Sequence, residues 1–195
     1  MHKHKTIRTA MVGAIFFCYP LMPAVASQSV VIPRLFLSSE LFHDTEHILG
    51  KLHSTFVLEV AESRLVPWKS QNQRIRWIAK KMIKDYNDAD QKVIAQAARI
   101  NAPLRDFVPE DLPEAIEQQR SQDAKTHLEN DEGPEFDFDF LNTSLEDHKN
   151  EISWLRANEN KLDPYNRGFV HQQIALLQQN YMLLQQLRKQ WPTLQ

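Results

Sequence analysis

The chain has 195 residues, a formal net charge of −2 and one cysteine. Mild acidity argues against nucleic acid as a partner, because phosphate binding requires clustered lysine and arginine. A single cysteine excludes a disulfide framework, so stability must come from a hydrophobic core, and the length suits one domain.

The N-terminus has the pattern of a cleavable secretory signal. Three basic residues come first: Lys3, Lys5 and Arg8. An apolar stretch over residues 10–21 follows, and Ala24-Val25-Ala26 is a small-x-small cleavage pattern. The apolar stretch has about 12 residues, against the roughly 20 that span a bilayer, so we expect no transmembrane anchor in the mature chain. The sequence predicts a signal peptide over residues 1–26.

Removal of this segment changes the charge and the cysteine content. Three of the 23 basic residues and none of the 25 acidic residues lie in it, so the formal charge moves from −2 to about −5. Cys18 is removed with it. Bulky residues precede Cys18, so the position does not suit a lipidated cysteine. The expected product is an exported protein without a lipid anchor.

Helical periodicity follows a short connector. Residues 27–39 lack this periodicity and are expected to form an extended connector ahead of a helical domain over residues 40–195. A first helix is predicted over residues 40–66, with Pro67 ending it. A second helix runs to residue 100, with Asn72 as its N-cap.

The second half of the chain begins with a loop. Three prolines between residues 101 and 113 indicate that loop, and the polar segment 114–128 suggests only a short helix. A third helix is expected over residues 136–158 and a fourth over residues 164–191, with Pro164 in its first turn. Four long amphipathic helices joined by short loops predict an all-α four-helix bundle.

Several polar residues stand where core residues are expected. Glu59 follows Ile48, Leu52 and Phe56 at helical spacing, and polar residues interrupt the other three apolar faces: Asp85-Tyr86, Asp147-His148 and Asn180. We favour a structural layer in which Glu59, Tyr86, His148 and Asn180 hydrogen-bond each other and fix helix register. The alternative is a divalent metal site. The second, third and fourth helices carry no Glu-x-x-His repeat, so a di-metal centre is not expected.

The segment His43-Asp-Thr-Glu46-His47 fits the H-x-x-E-H pattern of inverted zinc peptidases. On a helix, His43 and His47 lie one turn apart and can ligate one zinc ion, while Glu46 polarises its water. The sequence defines no third ligand, and a solvated helix start explains the residues more simply. A zinc peptidase is therefore the least favoured of the functional hypotheses.

The stretch Arg74-Ile-Arg-Trp-Ile-Ala-Lys-Lys-Met-Ile-Lys-Asp85, with Phe136-Asp137, Phe140-Leu141 and Asp147-His148-Lys149, resembles the exported bacterial proteins grouped as "domain of unknown function 4142". The resemblance implies a ferritin-like helical bundle, a periplasmic address and no agreed activity. Glu59, Asp85 and Asp147-His148 match the polar pattern of the family. Tyr86 and Asn180 stand where that pattern has histidine.

Two functional expectations follow. The first is an uncharacterised, non-enzymatic role in binding or homeostasis in the bacterial envelope, without a cofactor. The second is a metal-binding ferritin-like protein whose site uses Glu59, Asp85, Asp147 and His148.

Overall fold

The computed structural model of the protein describes residues 39–191. Within this range the chain is all-α, with no strand. The helices are α1 (Ser39–Ser63), α2 (Val66–Lys69), α3 (Gln73–Arg99), α4 (Leu112–Asn130), α5 (Gly133–Asn158) and α6 (Pro164–Lys189). The predicted signal peptide, and the predicted connector as far as residue 38, lie outside the described residues.

The all-α prediction is confirmed, and so is the predicted start of α3. The Asn72 side chain accepts hydrogen bonds from the backbone N–H groups of Arg74, at 2.9 Å, and Ile75, at 3.4 Å. It therefore satisfies two of the donors that a helix start leaves unpaired.

The predicted end of the first helix is wrong. Helix α1 ends at Ser63, and Pro67 lies in the first turn of the one-turn helix α2. Proline suits a first turn because the N–H that it lacks has no partner there in any case. Pro67 thus helps to begin α2, and it does not terminate α1.

Helix α4 is much longer than the predicted short segment and adds a fifth long helix to the expected four. Asp111 caps it by accepting a hydrogen bond from the Glu114 N–H at 2.9 Å. Only Glu114 and Leu128 are buried in this helix, so it lacks the apolar stripe on which the sequence-based assignment depended.

The core is built where the apolar stripes of α1, α3, α5 and α6 meet. Helix α1 packs mainly against α3, α5 packs mainly against α6, and α4 lies along α5. Phe56 stacks on Tyr86 with ring centroids 5.3 Å apart. Burying a side chain such as Phe56 contributes about 1.5–3 kcal/mol. Within residues 39–191, no helix has the length and apolar character needed to cross a membrane.

Candidate functional site

Four polar side chains from four helices meet in the core: Glu59 of α1, Tyr86 of α3, His148 of α5 and Asn180 of α6. His148 is fully buried, and its Nδ1 lies 2.6 Å from the Ser144 carbonyl oxygen and 3.1 Å from Glu59 Oε1. Its Nε2 bonds the Tyr86 hydroxyl, and Asn180 lies beside that hydroxyl. The structure therefore brings together the four residues of the expected polar layer.

The layer continues outward to Asp85. Asn180 Oδ1 accepts a hydrogen bond from Lys81 Nζ at 2.8 Å, and the same ammonium bonds Asp85. The Asp85 side chain is 20% exposed. Asp85 thus lies at the outer end of the chain of contacts, and Lys81, Asn180 and Tyr86 stand between it and His148.

Electrostatics favour a charged His148. Burial by itself lowers the pKa of His148. The adjacent Glu59 carboxylate and the Ser144 carbonyl raise the pKa by more than burial lowers it, so the net shift is upward. Burial also raises the pKa of Tyr86 well above its usual range, which keeps the phenol neutral. The layer thus supports an imidazolium that donates to Ser144 and Tyr86 and faces the Glu59 carboxylate.

A cavity of about 190 Å³ adjoins this layer between α1, α4 and α5. Four acids and one lysine are among the residues of its wall: Glu59, Glu117, Asp147, Glu151 and Lys51. Glu59 is 2% exposed and Glu151 is 4% exposed. We call these five side chains and the space that they enclose the acidic pocket.

Several carboxylate oxygens at the acidic pocket accept no hydrogen bond from the described part of the chain. They are both oxygens of Glu59, Oδ2 of Asp147 and Oε1 of Glu151, together with both oxygens of the fully buried Glu62 behind the wall. An unsatisfied buried polar group costs about 1–3 kcal/mol, so native proteins keep few of them. Protons, water or a bound ligand must therefore supply the partners of these oxygens.

Three acids around the acidic pocket, Asp147, Glu62 and Glu151, hold protons more tightly than usual. Burial raises the pKa of Asp147 to about 7, with Glu59 and Glu117 adding repulsion. Burial, then Glu59 and Asp147, raise the pKa of Glu62 well above its usual range. Burial also raises the pKa of Glu151 although Lys51 opposes the shift. A cation entering the acidic pocket would therefore displace protons.

The structure places His43 and His47 beside two acids that sequence reasoning did not connect with them. Their Nδ1 atoms lie 3.6 Å and 3.2 Å from the same oxygen of Glu110, and His47 Nε2 lies 3.1 Å from Glu114 Oε1. Glu46 borders a groove that His43, His47 and Glu110 also line. These contacts fasten the loop before α4 to the start of α1. No sequence signal links residues so far apart.

Metal coordination has little geometric support in this part of the molecule. Within residues 39–191, no three His, Cys, Asp or Glu side chains are arranged so that they could hold a metal ion. Both ring nitrogens of His148 already contact protein groups.

Three acids at the site were not predicted from the sequence. For two of them, the sequence contains a spacing that could have indicated their position. Glu62 lies three positions after Glu59, and Glu151 lies four positions after Asp147. Both spacings place the two carboxylates on one side of a helix. Glu117 had no comparable signal because it belongs to the weakly patterned α4.

The family model described as "Domain of unknown function (DUF4142)" matches residues 38–187. The chain belongs to this family. The DUF4142 match includes the polar layer and every residue of the acidic pocket, so both lie within the family domain. No curated protein and no solved structure matches the chain.

Proposed function

We propose that this DUF4142 protein is an exported, non-enzymatic binding protein of the bacterial envelope that holds a small cationic ligand in the acidic pocket. One observation carries the proposal: Glu59 and Glu151 are almost completely buried on the cavity wall, yet Glu59 Oε2 and Glu151 Oε1 accept no hydrogen bond from the described residues, and Glu59 Oε1 has only the His148 imidazole beside it. A cation would supply the missing charge and, where it carries N–H groups, the missing donors.

The balance of charge on the wall supports a positively charged ligand. Lys51 Nζ lies 3.7 Å from Glu151 Oε2, which among the described residues is the ion pair whose two members both line the cavity. Glu117 accepts hydrogen bonds from α4 and α5, so it already has partners. Glu59 and Asp147 remain, and the cationic group beside both of them is His148. His148 uses both ring nitrogens on protein groups, so these side chains support binding better than proton transfer.

Export rests on the N-terminal pattern of basic residues, apolar stretch and small-x-small segment. We expect the full chain, expressed in a bacterium, to appear in the periplasmic fraction with a mass that begins at Ser27. Ala24→Arg should retain the precursor because it places a large charge at a position that requires a small residue. Val25→Leu, at the variable middle position, should be processed normally. An uncleaved chain in the cytoplasm would contradict export.

Binding can be measured by thermal denaturation of the mature protein at pH 8. We expect at least one of Mn²⁺, Ca²⁺, Zn²⁺ and 1,4-diaminobutane to raise Tm by about 5–10 °C at a hundredfold excess over Kd. Asp147→Asn should at least halve the rise at the same cation concentration because it removes a charge from the wall. Glu146→Gln is the matched control, since Glu146 precedes Asp147 but is exposed and contacts Arg120.

Two results would contradict cation binding in the acidic pocket. One is that none of the four cations raises Tm in the wild-type protein. The other is that the rise persists unchanged in Asp147→Asn.

A further inference from the structure

One end of the acidic pocket shows which kind of cation it accommodates, because Lys51 occupies that end. The Lys51 side chain is nearly buried, and its ammonium lies 3.7 Å from Glu151 Oε2. It also lies 4.8 Å from the centre of the Phe107 ring and 5.8 Å from that of Trp154. The protein thus holds a primary ammonium between a carboxylate and two aromatic faces, both of which attract a cation.

The other end of the acidic pocket has carboxylates without such an ammonium. Glu59 lies eight residues, about 12 Å, along α1 from Lys51, and Asp147 lies one turn along α5 from Glu151, with Glu62 close to both acids. Within residues 39–191, no lysine or arginine nitrogen approaches the carboxylates of Glu59, Asp147 and Glu62 within 4.0 Å. Asp147 has a weak contact with the Ser121 hydroxyl, at 3.4 Å. Glu59 Oε2 and Asp147 Oδ2 accept no hydrogen bond from the described residues, and Glu59 Oε1 faces His148 Nδ1 at 3.1 Å.

The geometry at this end suits an organic cation better than a metal ion. Metal ligands must converge on one point at about 2.0–2.6 Å, and no set of three potential ligands among residues 39–191 does so. The cavity instead offers about 190 Å³, many times the roughly 10–15 Å³ that one water molecule needs. Its wall includes the apolar side chains of Leu58 and Phe107 beside the acids. The carboxylates at this end match a ligand's ammonium group, and the apolar side chains of the wall match a short aliphatic stem.

We infer that the ligand of the acidic pocket is a small aliphatic amine, whose ammonium group lies between Glu59 and Asp147 and whose stem lies along Leu58. The inference rests on the proposed function, since it names the class of cation that the site binds. An ammonium group carries N–H donors for Glu59 Oε2 and Asp147 Oδ2, while Glu59 Oε1 keeps its contact with His148 Nδ1. Binding forms charge-assisted hydrogen bonds and no covalent bond.

Isothermal titration calorimetry of the mature protein at pH 8 tests the class of ligand. The probes are n-butylamine and 1,4-diaminobutane, with 1-butanol as an uncharged molecule of similar shape, and Mn²⁺, Ca²⁺ and Zn²⁺ in separate titrations. We expect both amines to bind with one equivalent and the alcohol and metals not to bind. Asp147→Asn should weaken amine binding at least tenfold because a charge-assisted hydrogen bond is lost. Glu146→Gln should bind amines as the wild type does.

A tethered ammonium provides a second test. Leu58→Lys introduces an ammonium of similar stem length into the acidic pocket, where it should compete with the ligand and abolish amine binding. Val57→Lys is the matched control, because Val57 is half exposed and does not contribute to the cavity wall, so this variant should still bind amines. We also expect Leu58→Lys to melt at a higher temperature than Val57→Lys, since its ammonium meets carboxylates that no lysine or arginine of the described residues contacts.

The outcomes separate the inference from the proposed function. Binding of a metal ion without binding of either amine would overturn the inference and leave a cation-binding protein. Equal binding of 1-butanol and n-butylamine would overturn it as well, because recognition would then not depend on charge. Failure of every cation to bind would overturn both. Retention of amine binding in Asp147→Asn and in Leu58→Lys would place the amine outside the acidic pocket and overturn the inference.

Discussion

His148→Ala should lower the free energy of unfolding by about 3–5 kcal/mol, because it breaks a buried charged pair by removing one partner. Glu59 would keep a buried carboxylate without its imidazolium, and the Tyr86 hydroxyl would lose the nitrogen that it bonds. The change also leaves a cavity in a fully buried position. Urea denaturation at pH 7, monitored by circular dichroism, measures the loss.

The matched control for this variant is His171→Ala. His171 also contacts a carboxylate, that of Glu159 at 2.8 Å, but its side chain is more than half exposed. Exposed pairs contribute about 0–1 kcal/mol, so the control should lose far less stability. Similar losses in the two variants would show that the polar layer does not stabilise the core.

Replacing both members of the pair by leucine isolates the electrostatic part of this effect. The double variant Glu59→Leu with His148→Leu should lose less stability than the sum of the two single variants, because neither charge is then left unpaired. Additive losses would contradict a direct interaction between Glu59 and His148.

The polar layer could be predicted from the sequence because its residues interrupt regular apolar stripes. Glu59 continues the helical spacing of Leu52 and Phe56, and all three are buried. The same spacing shows that two adjacent residues of a helix face different directions. Tyr86 is buried, while Asp85 is rotated by about 100° around α3 and pairs with Lys81. Helical periodicity thus indicates which residues face inward and leaves open which of them meet.

The acidic pocket could be predicted only in part because one of its walls comes from α4. Asp147 and Glu59 belong to strongly patterned helices and were identified as inward polar residues. Glu117 and Ser121 belong to a helix with two buried residues, which gives the sequence no apolar stripe to follow. The contact of His47 with Glu110 joins residues of α1 and a loop far along the chain. Contacts of this kind arise from tertiary packing, which no local spacing encodes.

Tyr86 and Asn180 both have roles in hydrogen bonding. The resemblance implies histidine where this chain has Tyr86 and Asn180. Tyr86 bonds His148, and Asn180 accepts from Lys81 at 2.8 Å. The two side chains therefore link His148 to the Lys81 and Asp85 pair by hydrogen bonds.

The stability of the protein should fall as pH rises from about 5 to 8. A carboxyl group whose folded pKa is raised keeps its proton in the folded state after the unfolded chain has released it, so rising pH favours unfolding. For Asp147 this window extends from its usual pKa of 3.8 to about 7. Glu62 and His148 also have raised pKa values and act in the same direction. Each proton contributes up to about 1.4 kcal/mol per pH unit within its window.

Urea denaturation at constant ionic strength, at half-unit steps between pH 5 and 8, measures this slope. Asp147 faces Glu59 and Glu62 of α1, Glu117 and Ser121 of α4, and His148 of its own helix, so Asp147→Asn removes one titrating group from an acidic cluster. The variant should therefore show a shallower slope than the wild type.

Glu146, the exposed residue before Asp147, again provides the control. Glu146→Gln should leave the dependence of stability on pH unchanged. Saturating 1,4-diaminobutane should also flatten the wild-type slope, because an ammonium between Glu59 and Asp147 replaces the proton that stabilises the folded state at low pH. If stability is constant or increases over this range in the wild-type protein, the carboxyl groups of the acidic pocket do not hold protons in the folded state. In that case a cation entering the acidic pocket would meet carboxylates that are already ionised, and its binding would not depend on pH.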